Sequence, residues 1–191
     1  GEILSLVGGA LLGWPFLLLP IQILYINLIT DGLPALALAL NNRHHNIMGR
    51  TPRTESQLFT PHDLRWLAEV SILTAISTLG AFAIGWSTHD VSLARTLAFL
   101  VIAVAQQYIF FDIIAGDRSM FSTHVLKNRW VLIPVGVMGL QILFAQTNVF
   151  QTVFQITIPH FTPLLQSIAV VSMMLVIAEL RKRFAKHWFY K

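Results

Sequence analysis

Residues 20–40 read PIQILYINLITDGLPALALAL, and the fold turns on how they are read. A bilayer core of about 30 Å needs roughly 20 apolar residues to cross it as a helix, and this stretch has that length. In its middle, Asn27–Ala35 (NLITDGLPA) carries the segment's one charged residue, Asp31. A carboxylate at membrane depth costs roughly 2.5–3.5 kcal/mol on insertion scales, so its presence points to function. On a helix Asn27, Thr30 and Asp31 stand at i, i+3 and i+4, which places their oxygens on one face. Pro34 lacks an N–H and clashes with the Thr30 carbonyl four residues back, while Gly32 weakens the helix beside the acid. The spacing therefore predicts a broken membrane helix whose freed carbonyls line a cavity, the construction that transporters use for cations.

Composition extends this reading to the whole chain. Of 191 residues 55% are apolar and 12% charged, and the mean hydropathy is +0.66. A soluble domain carries about 25% charged residues, so the expected class is a multi-pass, all-α membrane bundle with the lipid bilayer as its partner. With no cysteine, disulfides, thiolate metal sites and cysteine nucleophiles are excluded. No basic stripe with interleaved aromatics points to nucleic acid, and no such partner is expected. Gly1 opens the chain without a signal peptide, which reads as a piece of something longer.

Working outward, Glu2–Leu12 is apolar but too short to span, and reads as the end of a helix. Gly13-Trp14-Pro15 makes a turn. The spans are expected at about 20–40, 64–86, 92–115, 130–146 and 162–180, with a polar loop at Asn41–Asp63 and a second loop at Thr147–Phe161. The chain closes on RKRFAKHWFYK (Arg181–Lys191), a basic, aromatic surface anchor. If Glu2–Leu12 ends outside, Asn41–Trp66, Gly116–Arg129 and Arg181–Lys191 are cytoplasmic and hold all Lys and Arg except Arg95. That satisfies the positive-inside rule and predicts a cytoplasmic C-terminus.

The candidate metal ligands are Asn27, Thr30, Asp31, Glu2 and Gln106. The competing reading of Asn27 and Thr30 is an interhelical hydrogen-bond cluster; the acid beside a Gly/Pro break favours a cation site. An all-oxygen donor set suits hard cations such as Ca²⁺ or Mn²⁺. One carboxylate is too few for a divalent ion, and Glu2, heading a helix that would form a hairpin with the next, is the obvious second donor. The competing reading of Glu2 is an exposed acid at a chain end. Gln106 and Gln107 are read first as amides bonding a neighbouring helix. Asp112, one turn from Gly116, is read as a helix-end acid, Glu69 as near the interface, and Glu179 as paired with the cations that follow it. His44, His45 and His62 are read as loop residues. With no phosphate-binding loop G-x-x-x-x-G-K-[ST] and no H-E-x-x-H motif, no catalytic residues and no cofactor site are assigned to this chain.

NLITDGLPALALAL followed by NIMGRTPR resembles the sixth transmembrane helix and following loop of P-type cation-transporting ATPases, in the calcium-pump (sarco/endoplasmic reticulum-like) branch. Ile47, Met48, Arg50, Pro52 and Arg53 match the loop element, and LPIQILYIN and Gly1-Glu2 also fit. The resemblance implies the end of helix five plus helices six to ten. It implies that Asn27, Thr30 and Asp31 are ion-coordinating, that Glu2 matches an acid of the fifth helix, and that Gln106 stands where two-ion pumps carry an acid on the eighth. It further implies Ca²⁺ as the transported ion. ATP, Mg²⁺, the D-K-T-G-T phosphorylation motif and helices one to four would belong to an N-terminal pump portion outside this chain, and the fourth helix would add an acid and main-chain carbonyls to the site. The alternatives are a stand-alone membrane scaffold or regulator of the same descent, and a secondary transporter that uses Asp31 as a relay.

Overall fold

The computed structural model describes residues 1–40, 61–116, 119–120 and 129–188; at 62 and 183–188 only the backbone is described. The described residues form an all-helical bundle, in the order α1 (Glu2–Leu11), α2 (Pro20–Tyr25), a π-helical turn (Ile26–Asp31), α3 (Gly32–Ala39), α4 (Pro61–Trp86), α5 (Val91–Ala115), α6 (Leu132–Ala145), α7 (Asn148–Phe154) and α8 (Phe161–Trp188). Four helical stretches are long and apolar enough to cross a membrane, and α6 with α7 makes a fifth if the bent pair is one span.

Local chemistry sets the element ends. Pro20 opens α2, where its missing N–H costs nothing, and the Gln22 side chain reaches back to the Leu19 N–H at 3.0 Å. Asp90 caps α5 by accepting from the Ser92 and Leu93 N–H groups, at 2.9 and 3.0 Å. Thr147 does the same for α7 through the Phe150 N–H.

At the hairpin between α4 and α5 the two helices cross closely. A Cβ at Gly85 would lie 2.4 Å from the Ala94 Cα, so the two backbones touch where only glycine fits. α5 is the most buried of the spans and is packed by α4 and α8, with α1 against the outer side of α4. Membrane helices gain little from apolar contact with one another, so small residues such as Ala94, Ala98 and Ala105 on α5, all fully buried, let dispersion do the packing.

Polar contacts sort into two ends of the bundle. At one end Trp66 and Glu69 of α4, Asp112 of α5 and Arg181 of α8 meet. At the other, Arg95 Nε donates to the Phe16 carbonyl, the Ser92 hydroxyl to the Gln155 carbonyl, and Gln22 Nε2 to the Phe154 carbonyl. Successive spans therefore run in alternate directions.

Three expectations change. The predicted loop at Thr147–Phe161 contains α7, which leaves α6 at 96°; it is held by Phe150 and Phe154 against Tyr25 and by Phe154 against Phe99. The last helix runs past residue 180 to Trp188, because nothing in RKRFAKHW breaks a helix. The predicted break at Asp31 is not a break: Pro20–Ala39 is one span carrying a π-helical turn. Asn41–Thr60, with His44 and His45, lies outside the described residues.

Candidate cation site

The site grows from the π-helical turn. Such turns close i→i+5 rather than i→i+4 hydrogen bonds and occur mostly as isolated bulges, often at functional positions. Here the turn stops where Gly32 and Pro34 follow. Pro34 cannot donate to the Thr30 carbonyl, and a side chain does so instead: Gln107 Nε2 of α5 approaches Thr30 O at 3.5 Å. The carbonyl that Pro34 cannot serve thus has a donor across the bundle.

The wider turn separates residues that α-helical spacing would have grouped. Thr30 is completely buried, and its Oγ1 accepts a 2.9 Å hydrogen bond from Gln141 Nε2 of α6. Asn27 is exposed and Asp31 half-buried. Thr30 therefore faces the bundle, while Asn27 lies on its open side.

Glu2 opens α1 half-buried, and its Oε1 accepts from Gln106 Nε2 at 3.2 Å. It is also the acid whose charge acts on Asp31. The structure thus brings Glu2, Gln106 and Asp31 into one neighbourhood, with Thr30 held behind the turn by Gln107 and Gln141. Among the described residues no three His, Asp or Glu side chains converge as a metal-binding group. Ca²⁺ takes 6–8 oxygens; the two carboxylates, the Asn27 amide and the Gln106 carbonyl are oxygen donors of the kind such a shell uses. The apolar residues flanking Asn27 and Asp31 on the same helix, Leu24, Leu28 and Leu36, are likewise exposed.

The other membrane acids are used differently. Asp112 is nearly fully buried and receives Trp66 Nε1 at 2.7 Å, Arg181 Nη2 at 2.8 Å and Lys182 Nζ at 2.7 Å. It does lie in the last turn of α5, but as the centre of an ion cluster that the sequence did not suggest. Arg181 extends the cluster to Glu69 at 3.4 Å. Glu179 was expected to pair with the cations after it; among the described residues it accepts the Met120 N–H at 2.8 Å, while Arg181 and Lys182 turn to Asp112. Arg181, two positions on, points away from Glu179 on the helix, and both cations meet Asp112 of α5 in a dry site.

Sequence reasoning passed over Gln141. The signal was present, since it is the one strongly polar side chain in LIPVGVMGLQILFA.

This helical order, with a polar-centred second span and a charge-poor bundle behind it, agrees with comparison to known proteins. Residues 15–184 match the family model for the C-terminus of cation-transporting ATPases. The chain belongs to that family. It is 34% identical over 135 residues to a calcium-transporting ATPase of Bacillus subtilis, a match covering 69% of this chain and 15% of that protein. It is 37% identical over 91 residues to an endoplasmic reticulum-type calcium-transporting ATPase of Arabidopsis thaliana, covering 47% and 8%. An endoplasmic reticulum calcium ATPase of Aspergillus fumigatus is 47% identical over 57 residues, covering 30% and 6%. The chain spans less than a fifth of the length of these cation-transporting ATPases. Family and helices together make it a multi-pass integral membrane protein.

Proposed function

We propose that this chain is the transport-domain end of an ATP-driven calcium pump and supplies part of its intramembrane cation site. Asp31 is the central ligand, Asn27 a ligand on the open side, and Glu2, set by Gln106, the second acid. Thr30 belongs to the same site as the residue that fixes the turn. Ca²⁺ is the cargo, as in the names of the relatives, and hard-oxygen donors suit it. The observation that carries this reading is the gathering of Glu2 and Asp31, two acids with neutral amide neighbours, beside an exposed Asn27 within the bundle.

The open side is where the remaining oxygens enter, supplied by an N-terminal pump portion packed against α1 and α2. ATP and Mg²⁺ act in that portion. Alternating its conformation would tighten and loosen the shell around Asp31, and the C-terminus faces the cytoplasm with the basic residues.

The test is Asp31→Asn in the protein expressed at the length its gene encodes, with ⁴⁵Ca²⁺ uptake into inverted vesicles. ATP-dependent uptake at limiting Ca²⁺ should vanish while the amount of folded protein is kept. Uptake at the unsubstituted rate would remove Asp31 from the site. A gene product with no D-K-T-G-T segment ahead of this chain would remove the pump reading itself.

A further inference from the structure

We infer that Gln141 is a positioning residue for the cation site, acting through Thr30. It rests on the pump reading above and adds to it a residue on a helix that carries none of the expected ligands. α6 is otherwise apolar and largely faces outward, with Leu140, Ile142 and Leu143 exposed on either side of the amide. A primary amide in hydrocarbon is costly unless its N–H groups find partners, and here Nε2 donates to Thr30 Oγ1 at 2.9 Å. The Tyr25 phenol is a second side-chain neighbour of Gln141.

The arrangement depends on the π-helical turn. Tyr25 and Thr30 are five residues apart, so they stack along one side only when the turn closes i→i+5. In an α-helix they would point apart, and one side chain on a neighbouring helix would not lie beside both. Gln141 therefore selects the wide turn. Gln107 holds the same residue from α5 through its main-chain oxygen, so Thr30 is gripped by two helices immediately before Asp31. With Thr30 fixed inward, Asn27 is left on the open side and Asp31 at its edge. Thr30 in this arrangement is the anchor of the turn, and its β-branched side chain cannot rotate without losing the bond.

The experiment is a double-mutant cycle in the gene-length protein, reading the Ca²⁺ concentration at half-maximal ATP-dependent uptake and the maximal rate. Gln141→Leu keeps volume and removes the donor; Thr30→Val keeps shape and removes the acceptor. Each should raise the half-maximal concentration about three- to tenfold, the size of one net membrane hydrogen bond, and Gln141→Leu, which touches no expected ligand but Thr30, should largely keep the maximal rate. The double variant should equal Thr30→Val alone, and Thr30→Ser, which keeps the hydroxyl but loses the β-branch, should lie between Thr30→Val and the unsubstituted protein. Multiplying effects would mean that Thr30 serves the ion independently of Gln141, and would overturn the inference. So would a Gln141→Leu protein with a lowered unfolding temperature but an unchanged half-maximal concentration, which is the mark of a packing role. If Gln141→Leu fails to fold, a Thr30→Val affinity equal to that of the unsubstituted protein overturns the inference by itself. Asp31→Asn in the same assay separates the two levels: if it leaves uptake intact, the pump-site reading has failed, whatever Gln141 does.

Discussion

Two buried-segment aspartates, Asp31 and Asp112, solve the same problem in opposite ways. Asp112 is almost inaccessible and sits under an indole N–H, a guanidinium and an ammonium. Asp31 is half-buried, has no Lys or Arg within ion-pair distance among the described residues, and lies near enough to Glu2 and to the Gly1 amino group for their charges to act on it. Desolvation must be offset in both cases. Asp112 receives the offset from its own chain, through an N–H donor and two cations. Asp31 is left with capacity, next to a second carboxylate, on the side of the bundle with the exposed Asn27. An intramembrane acid that is already saturated reads as structure, and one that is unsaturated reads as a binding group. The amides differ in the same sense: Gln106, Gln107 and Gln141 donate hydrogen bonds to Glu2 and Thr30 without bringing a positive charge.

The sharpest way to break the comparison is to neutralise each acid in turn. Asp31→Asn should abolish Ca²⁺ uptake while leaving the thermal midpoint of the detergent-solubilised protein unchanged or higher, since a poorly compensated charge is removed. Asp112→Asn should do the reverse. It leaves Arg181 and Lys182 without their carboxylate, which costs about 3–5 kcal/mol for a buried pair and should show as a large fall in midpoint or in folded yield. If Asp112→Asn folded normally and lost uptake instead, the division between the two acids would be wrong.

A smaller effect tests the amide side. Gln106→Leu removes the donor to Glu2 and should weaken apparent Ca²⁺ affinity by about three- to tenfold, the range for one lost hydrogen bond. An unchanged affinity would detach Gln106 from the site. The smallest effect is expected at the rim of the Asp112 cluster. Glu69 is about a third exposed and 3.4 Å from Arg181, so Glu69→Gln should cost no more than about 1 kcal/mol in denaturant or thermal unfolding. A cost comparable to that of Asp112→Asn would show that the cluster acts as one unit rather than around a single buried acid.

Much of this was legible before any coordinates. The spans followed from apolar run length, and the family from NLITDGLPA and the loop after it. Pro34 forecast the unpartnered Thr30 carbonyl, and the structure supplies Gln107 as its donor. The errors came where two non-local choices compete. Asn27, Thr30 and Asp31 were assigned one face by α-helical spacing, but the turn is π-helical and its register is held by Gln107 and Gln141, 77 and 111 residues away. The Asp112 cluster is equally non-local, since Arg181 and Lys182 reach that acid across the bundle.

Hydropathy, charge placement and a single acid within an apolar run are properties of composition and order, so residue order settled that this is an all-helical membrane bundle and which apolar run carries an acid at its middle. Which oxygen faces the open side, which amide holds it, and which acid is neutralised by its own chain depend on helix rotation and on partners distant in sequence. Those were settled only when the helices packed, because a hydrogen bond or ion pair in a dry interior forms with whatever donor the tertiary arrangement brings within about 3 Å.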